Sequence, residues 1–218
     1  MALVPALDAG LTVGQVVRGA SKYVDAVVVV DDGSADDTAE KAREAGAHII
    51  RHDANRGKGA ALKTGFDYAL AQGYDAVITL DADTQHDPDD IPKLIEAAGG
   101  AGIVVGSRLR EKDKIPPARY YANMVGVKCI SWRAKNALLD SQSGFRLYKA
   151  EVISGIKFSG GRFETETELL IRAGRRGFRI ASVPVKTIYS EEIIRGSHFR
   201  TVSDTYRICI MFLRSFFF

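Results

Sequence analysis

Short apolar runs recur along the first half of the chain, each closed by a polar turn and followed by a segment of helical spacing. Leu3-Val4, stopped by Pro5, is the first such run. Val13, Val16 and Val17 then fall on one side of a helix predicted over Leu11 to Lys22. Ala26 to Val30 is a β-branched stretch ending in Asp31-Asp32-Gly33-Ser34, the mark of a strand buried on both faces. Asp36-Asp37-Thr38 caps a helix through about Ala45, closed by Gly46. Ala47 to Arg51 is a third strand, and Asn55-Arg56-Gly57-Lys58-Gly59 is a glycine-rich turn opening a helix from Ala60 to Ala71. Asp75 to Leu80 gives a fourth strand, Ile91 to Ala98 a helix, and Gly102 to Val105 a fifth strand that ends in Gly106-Ser107-Arg108.

Regular alternation of strand and helix predicts an α/β fold: a mostly parallel sheet with helices on both faces and right-handed crossovers. Ligands of such sheets bind beyond the carboxyl ends of the strands. Asp31-Asp32, Gly57-Lys58-Gly59, Asp81-Ala82-Asp83 and Ser107-Arg108 all fall at those ends. After Arg110 the pattern changes. A charged loop broken by Pro116-Pro117 leads into a helix predicted over Ala118 to Leu139, with Arg119, Lys128, Arg133 and Lys135 as its basic residues. Asp140 to Arg146 reads as a loop, Phe145 to Tyr148 as a strand, and Phe163 to Ala173 as an acidic helix. Phe178 to Val185 reads as an edge or irregular strand because it contains Pro184. Residues 190–201 are polar, and Asp204 to Phe218 is an apolar helix carrying Arg207 and Arg214. The expected organisation is one domain over residues 1–203, its halves meeting near residue 110, with an amphipathic helix at 204–218.

With 218 residues and 46% hydrophobic composition, the chain can build one full core. Cys129 and Cys209 have no metal-ligand spacing, which predicts a reducing compartment without a disulfide framework. Met1 to Pro5 runs directly into strand-like sequence, so no signal peptide is expected, and no apolar run reaches the ~18 residues of a membrane span. The net charge of +3 conceals an asymmetry. Residues 1–104 hold 17 acidic and 9 basic residues; residues 105–218 hold 10 acidic and 21 basic. An acidic half followed by a basic half predicts a cation site in the first and an anion or membrane-surface site in the second. Nucleic acid is not an expected partner.

Asp81, Asp83 and Gln85 occupy alternate positions where the fourth strand runs out. In an extended chain they would share one side and offer oxygens to a hard cation, Mg2+ or Mn2+, whose shell is completed by water and substrate phosphates. An Asp-rich turn capping the helix near Pro88 would use the same residues, and the stretch alone leaves both open. Such a cation would offset charge on a departing nucleoside diphosphate. Asp31 and Asp32 could accept hydrogen bonds from a nucleobase or ribose, or simply close their turn.

Val29-Val-Asp-Asp-Gly-Ser34, Asn55-Arg-Gly-Lys-Gly-Ala-Ala61, Asp81-Ala-Asp-Thr-Gln-His86, Gly106-Ser-Arg108, Asp140-Ser-Gln-Ser-Gly-Phe-Arg146 and Arg162-Phe-Glu-Thr-Glu166 occur in order. Together they resemble the family 2 glycosyltransferases of GT-A fold, most closely the dolichyl-phosphate mannose synthase branch and its bacterial polyprenyl-phosphate relatives. The resemblance implies inverting transfer of a hexose from GDP-mannose or UDP-glucose to a lipid phosphate, at the cytoplasmic face of a membrane. It implies Asp81, Asp83 and Gln85 as metal ligands, and Pro5, Asp31, Asp32, Lys58 and Asp81 around the nucleotide. Arg108, Arg119 and Asn123 match acceptor-phosphate positions; Arg146, His198 and Arg200 are further candidates for the diphosphate or the acceptor. Catalytic weight would fall on Asp83, Arg108 and Asp140. A phosphate monoester is already ionised at neutral pH, its second pKa being ~6, and needs no base; a sugar hydroxyl would need one, with Asp140 as candidate. The family usually opens Pro-Ala-Tyr-Asn-Glu-Glu, whereas this chain reads Pro5-Ala6-Leu7-Asp8-Ala9-Gly10 and lacks the aromatic and the first glutamate. A relative that binds ligands without turnover is therefore the alternative. A nucleotidyltransferase fits less well, because its glycine-rich loop should follow the first strand, not the third.

Overall fold

A computed structural model describes residues 1–107, 117–158, 164–186, 188, 210 and 212–217; before Gly126 the helix that starts at Pro117 is described by its backbone, with the one side chain of Met124. The β-branched run forms β2 (Val27–Asp31), every residue of it buried. Beside it lie β1 (Ala2–Ala6), β3 (His48–Arg51) and β4 (Ala76–Thr79), all parallel. The connecting helices are α1 (Val13–Ala20), α2 (Thr38–Glu44), α3 (Lys58–Ala71) and α4 (Ile91–Ala97), the last preceded by a 3-10 turn at Pro88–Asp90. β5 (Ile103–Ser107) follows, then α5 (Pro117–Ala134), β6 (Arg146–Lys149), α6 (Ala150–Gly155), α7 (Glu164–Arg175) and β7 (Ile180–Pro184). The sheet order is β3-β2-β1-β4-β6-β5-β7. β7 is an edge strand parallel to β5, with Pro184 at its last register position opposite Ser107.

Alternate residues of each strand enter opposite cores. Leu3, Val28, Val30 and Val77 pack with Leu62 and Phe66 of α3 and with Leu169 and Leu170 of α7. Val4, Val27, Val29 and Ile78 pack with Val13 and Val17 of α1 and with Ile91 and Leu94 of α4. α3 crosses β1 at Gly65, where a Cβ would stand 2.5 Å from Leu3 Cδ2.

The structure departs from the pattern at several points, the first being that β1 runs on through Pro5 to Ala6. β4 and β5 are not neighbours: β6 runs antiparallel between them, pairing Arg146 with both Thr79 and Val105. The excursion after β5 returns on the rim side of the sheet, so the returning strand must run the opposite way. α5 stops at Ala134, short of Leu139, because Lys135 adopts φ 53° and the Asn136 amide donates to the Ala134 carbonyl at 2.9 Å. α6 has no counterpart in the pattern. Residues 212–217, within the predicted final helix, pack by Ser215 against Arg133 and Arg175. Among the described residues no helix is long and apolar enough to cross a membrane.

Candidate active site

The carboxyl ends of β1, β2 and β4 share a rim with the start of α3 and the loop entering β6. Lys58 opens α3 there, and its ammonium lies 2.6 Å from Asp81 Oδ1 and 3.0 Å from Glu166 Oε2. Burial alone would depress the Lys58 pKa, but the two carboxylates outweigh it and hold the value above the ordinary lysine range. Glu166 stands in the first turn of α7, and its second oxygen, Oε1, is buried without a hydrogen-bond partner.

Asp81 sits against Gly144, where a Cβ would approach Oδ1 to 2.7 Å, so this glycine makes room for the carboxylate. The Gly144 carbonyl accepts from Thr79 Oγ1 at 2.7 Å, fixing that approach. The backbone N–H of Asp81 faces His86 Nδ1 at 3.4 Å, and the His86 ring stacks on Phe145.

The stretch from Asp81 to Gln85 is not extended. It turns at Ala82 to Thr84, with Thr84 at φ 60° and the Gln85 N–H donating to Asp83 Oδ1 at 3.0 Å. The expected alternation of side chains therefore does not operate; an Asx-type turn closes over Asp83 and Gln85 instead. Among the described residues no group of three His, Cys, Asp or Glu side chains has metal-site geometry. The donors offered are two carboxylates and an amide, all hard oxygens, and Asp81 already binds a cation in the form of the Lys58 ammonium. That donor set fits Mg2+ or Mn2+ completed by water and phosphate.

Asp31 and Asp32 are both buried and both engaged. Asp31 accepts from the Ser34 N–H at 2.9 Å and pairs with Arg51 Nε at 3.2 Å. Asp32 accepts from His52 Nδ1 at 2.6 Å and from the N–H groups of Arg56 and Gly57 at 3.0 and 2.7 Å. Asp32 thus ties the glycine turn to β2 and so sets where Lys58 begins. His52, which also faces Thr64 Oγ1 at 3.0 Å, is a supporting residue that the sequence reading missed. Pro5 lies half-buried in β1, in register with Val30.

The departure at Leu7 to Gly10 has a structural counterpart. Asp8 takes φ 49°, its carboxylate accepts from the Ala35 N–H at 2.8 Å, and the Ala9 N–H donates to Thr38 Oγ1 at 2.7 Å. The absence of a Cβ at Gly10 lets this loop fold onto Asp36 and Asp37 in the turn after β2, with the Gly10 N–H donating to Asp36 Oδ2 at 2.9 Å.

Arg146, expected near a phosphate, is instead fully buried. Its guanidinium donates to the carbonyls of Ser143 (2.6 Å), Ser141 (2.9 Å) and Glu166 (2.8 Å), and to Tyr148 Oη at 3.3 Å. It clamps the 140–146 loop to α7 and leaves no face toward solvent. Asp140 accepts from the N–H groups of Gln142 and Ser143, shaping the same loop. Arg108, His198 and Arg200 lie outside the described residues; Arg119 and Asn123 are placed only by the backbone of α5.

Three comparisons bear on this rim. The model of the family described as Glycosyl transferase family 2 matches residues 2–164. The chain belongs to that family. It is 31% identical over 223 residues to the UDP-N-acetylglucosamine–dolichyl-phosphate N-acetylglucosaminyltransferase of Methanococcus voltae, covering 90% of this chain and 88% of the relative. It is 30% identical over 181 residues to the undecaprenyl-phosphate mannosyltransferase of Micrococcus luteus, covering 76% and 72%. Among solved structures, glucosyl-3-phosphoglycerate synthase from Mycobacterium tuberculosis with Mn2+ and UDP-glucose superposes with a TM-score of 0.70 at 24% identity, over 98% of this chain and 77% of that one. The fold is thus that of the GT-A glycosyltransferases, and this family 2 protein is a glycosyltransferase.

Proposed function

We propose that the protein transfers a hexose from a nucleotide-diphosphate sugar, GDP-mannose or UDP-glucose, to a polyprenyl or dolichyl phosphate, with inversion at the anomeric carbon. What carries the reading is the partly buried Lys58–Asp81–Glu166 cluster on the rim of a family 2 chain whose relatives are named for transfer to lipid phosphates. Asp81, Asp83 and Gln85 would hold Mg2+ or Mn2+, which when bound neutralises charge on the departing diphosphate. Lys58 adds a positive charge at the amino end of α3, where the helix dipole also favours an anion. Asp32 holds that turn in place. Arg108, Arg119 and Asn123 are proposed to bind the acceptor phosphate, since guanidinium forks match its oxygens; His198 and Arg200 are proposed beside them. The acceptor phosphate attacks the anomeric carbon as an anion, so no general base is required, and Asp140 acts through the loop that seats Asp81.

Transfer to a lipid also needs a surface. Trp132, Leu213, Phe216 and Phe217 are exposed, with Trp132 and Phe216 rings 5.9 Å apart, and Lys128, Lys135 and Arg214 are exposed near them in the sequence. An apolar aromatic patch with basic residues suits the interface of an anionic membrane leaflet, proposed here to be the cytoplasmic one. The test is incubation with Mg2+, labelled GDP-mannose or UDP-glucose, and polyprenyl phosphate, followed by lipid extraction. Label in the lipid fraction that is lost in Asp83→Ala supports the reading. Nucleotide binding without transfer would favour a relative lacking turnover, and transfer to a free sugar would overturn the lipid acceptor.

A further inference from the structure

Two carboxylates share the one ammonium of Lys58, and they are not equivalent. The Asp81 side chain retains 28% of its accessible surface; that of Glu166 retains 7%. Asp81 lies on a turn, whereas Glu166 lies on α7, where its own carbonyl is held by Arg146. Glu166 also keeps one buried oxygen without a hydrogen-bond partner, enough to take a second bond from an ammonium that swings toward it. The more accessible carboxylate is therefore the one able to exchange its cation, and the buried one is the one able to keep Lys58.

We propose that Lys58 is a built-in counter-cation that holds Asp81 in place until a divalent metal arrives, and that Glu166 is the seat to which Lys58 then withdraws. The inference rests on Asp81 as a metal ligand and makes Glu166 a positioning residue of that site. Metal and ammonium compete for Asp81, and Glu166 biases the competition toward the metal. Removing the ammonium should tighten metal binding, while removing the seat should weaken it. A simple field effect would give the same signs. The distinguishing consequence is coupling: once Lys58 is gone, the Glu166 substitution should no longer matter.

The experiment is Mn2+ titration without nucleotide, read by loss of the free-ion paramagnetic resonance signal, on folded protein checked by circular dichroism. Lys58→Met should bind Mn2+ about tenfold more tightly than wild type, and Glu166→Gln about tenfold more weakly, each tenfold being ~1.4 kcal/mol. In the double variant the Glu166→Gln step should shrink to roughly twofold or less. Should Lys58→Met not fold, Lys58→Gln makes the same test. Equal additive steps in both backgrounds, or no tightening on loss of Lys58, would overturn the proposal while leaving the metal site intact. No Mn2+ binding by wild type even with UDP present would instead overturn the metal reading, and this inference with it.

Discussion

Gly144→Ala tests whether the position of Asp81 matters for the chemistry. Gly144 is not among the glycines at positive φ, so alanine brings no backbone strain. It brings a methyl carbon 2.7 Å from Asp81 Oδ1 and 2.8 Å from Asp81 Cγ, where ordinary contacts begin near 3.4 Å. Something must move by about half an ångström to an ångström. The loop is pinned on one side by Thr79 Oγ1 bonding to the Gly144 carbonyl and on the other by the Gly106 N–H bonding to the Phe145 carbonyl at 2.8 Å. The carboxylate of Asp81 therefore gives way. Misplacement of a reacting group by ~1 Å can cost ~100-fold in rate. Overpacking costs about 1–3 kcal/mol, and the stiffer unfolded chain returns about 0.4–1 kcal/mol. At roughly 2–4 °C per kcal/mol for a chain of this size, Tm falls by several degrees. The assay is thermal unfolding alongside kcat/KM for the nucleotide sugar. Gly99→Ala, whose Cβ meets nothing within 4 Å, is the control and should alter stability by no more than ~0.5 kcal/mol. Wild-type kcat/KM in Gly144→Ala would show that the chemistry does not depend on where Asp81 sits.

Arg146→Met removes donors from three buried carbonyls and should cost about 3–5 kcal/mol, read as a large drop in Tm or loss of soluble protein; an unchanged Tm would show that the clamp is idle. Because the folded-state pKa of Lys58 lies above its ordinary 10.5, its pairing contributes full stability below that pH and is lost as pH rises through the folded value. The Tm difference between wild type and Lys58→Met should accordingly hold steady at neutral pH and shrink only above pH ~10.5; a difference that vanished below pH ~9 would contradict it. Trp132 is the one tryptophan in the chain, so its emission reports the aromatic patch directly. It should shift to the blue with anionic vesicles, weakly with neutral ones, and less at high salt; no shift would remove this patch from the membrane contact.

The sheet was legible because its strands are unmixed. A run such as Val27 to Val30 has no polar position to mislead, and Pro184 correctly marked an edge. β6 was harder to place: four residues long and preceded by a loop, it carries no sign of which strands it will separate. The helix through Ala134 was overrun because the apolar spacing continues past it, while a local backbone–side-chain bond at Asn136 ends it. At the site, residue type was legible and geometry was not. The spacing of Asp81, Asp83 and Gln85 suggested a shared side, yet an Asx-type bond and Thr84 at positive φ turn the chain there. Arg146 shows the limit of charge as evidence, since a guanidinium satisfies three carbonyls as readily as a phosphate. Gly144 carried a usable signal, a lone glycine between Asp140 and the strand after it. Glu166 falls in the Arg162 to Glu166 motif, yet nothing in the sequence gives it a role, because only the fold brings α7 against Lys58.

Attack of an acceptor phosphate on the anomeric carbon, as proposed above, expels a nucleoside diphosphate. The most direct measurement is the nucleotide released per labelled lipid formed, resolved by ion-exchange chromatography. One nucleoside diphosphate is expected for each glycosylated lipid phosphate, with neither product formed by Asp83→Ala. Release of nucleoside monophosphate in step with the lipid product would mean that a sugar phosphate is transferred instead of the sugar, and would overturn the proposed attack.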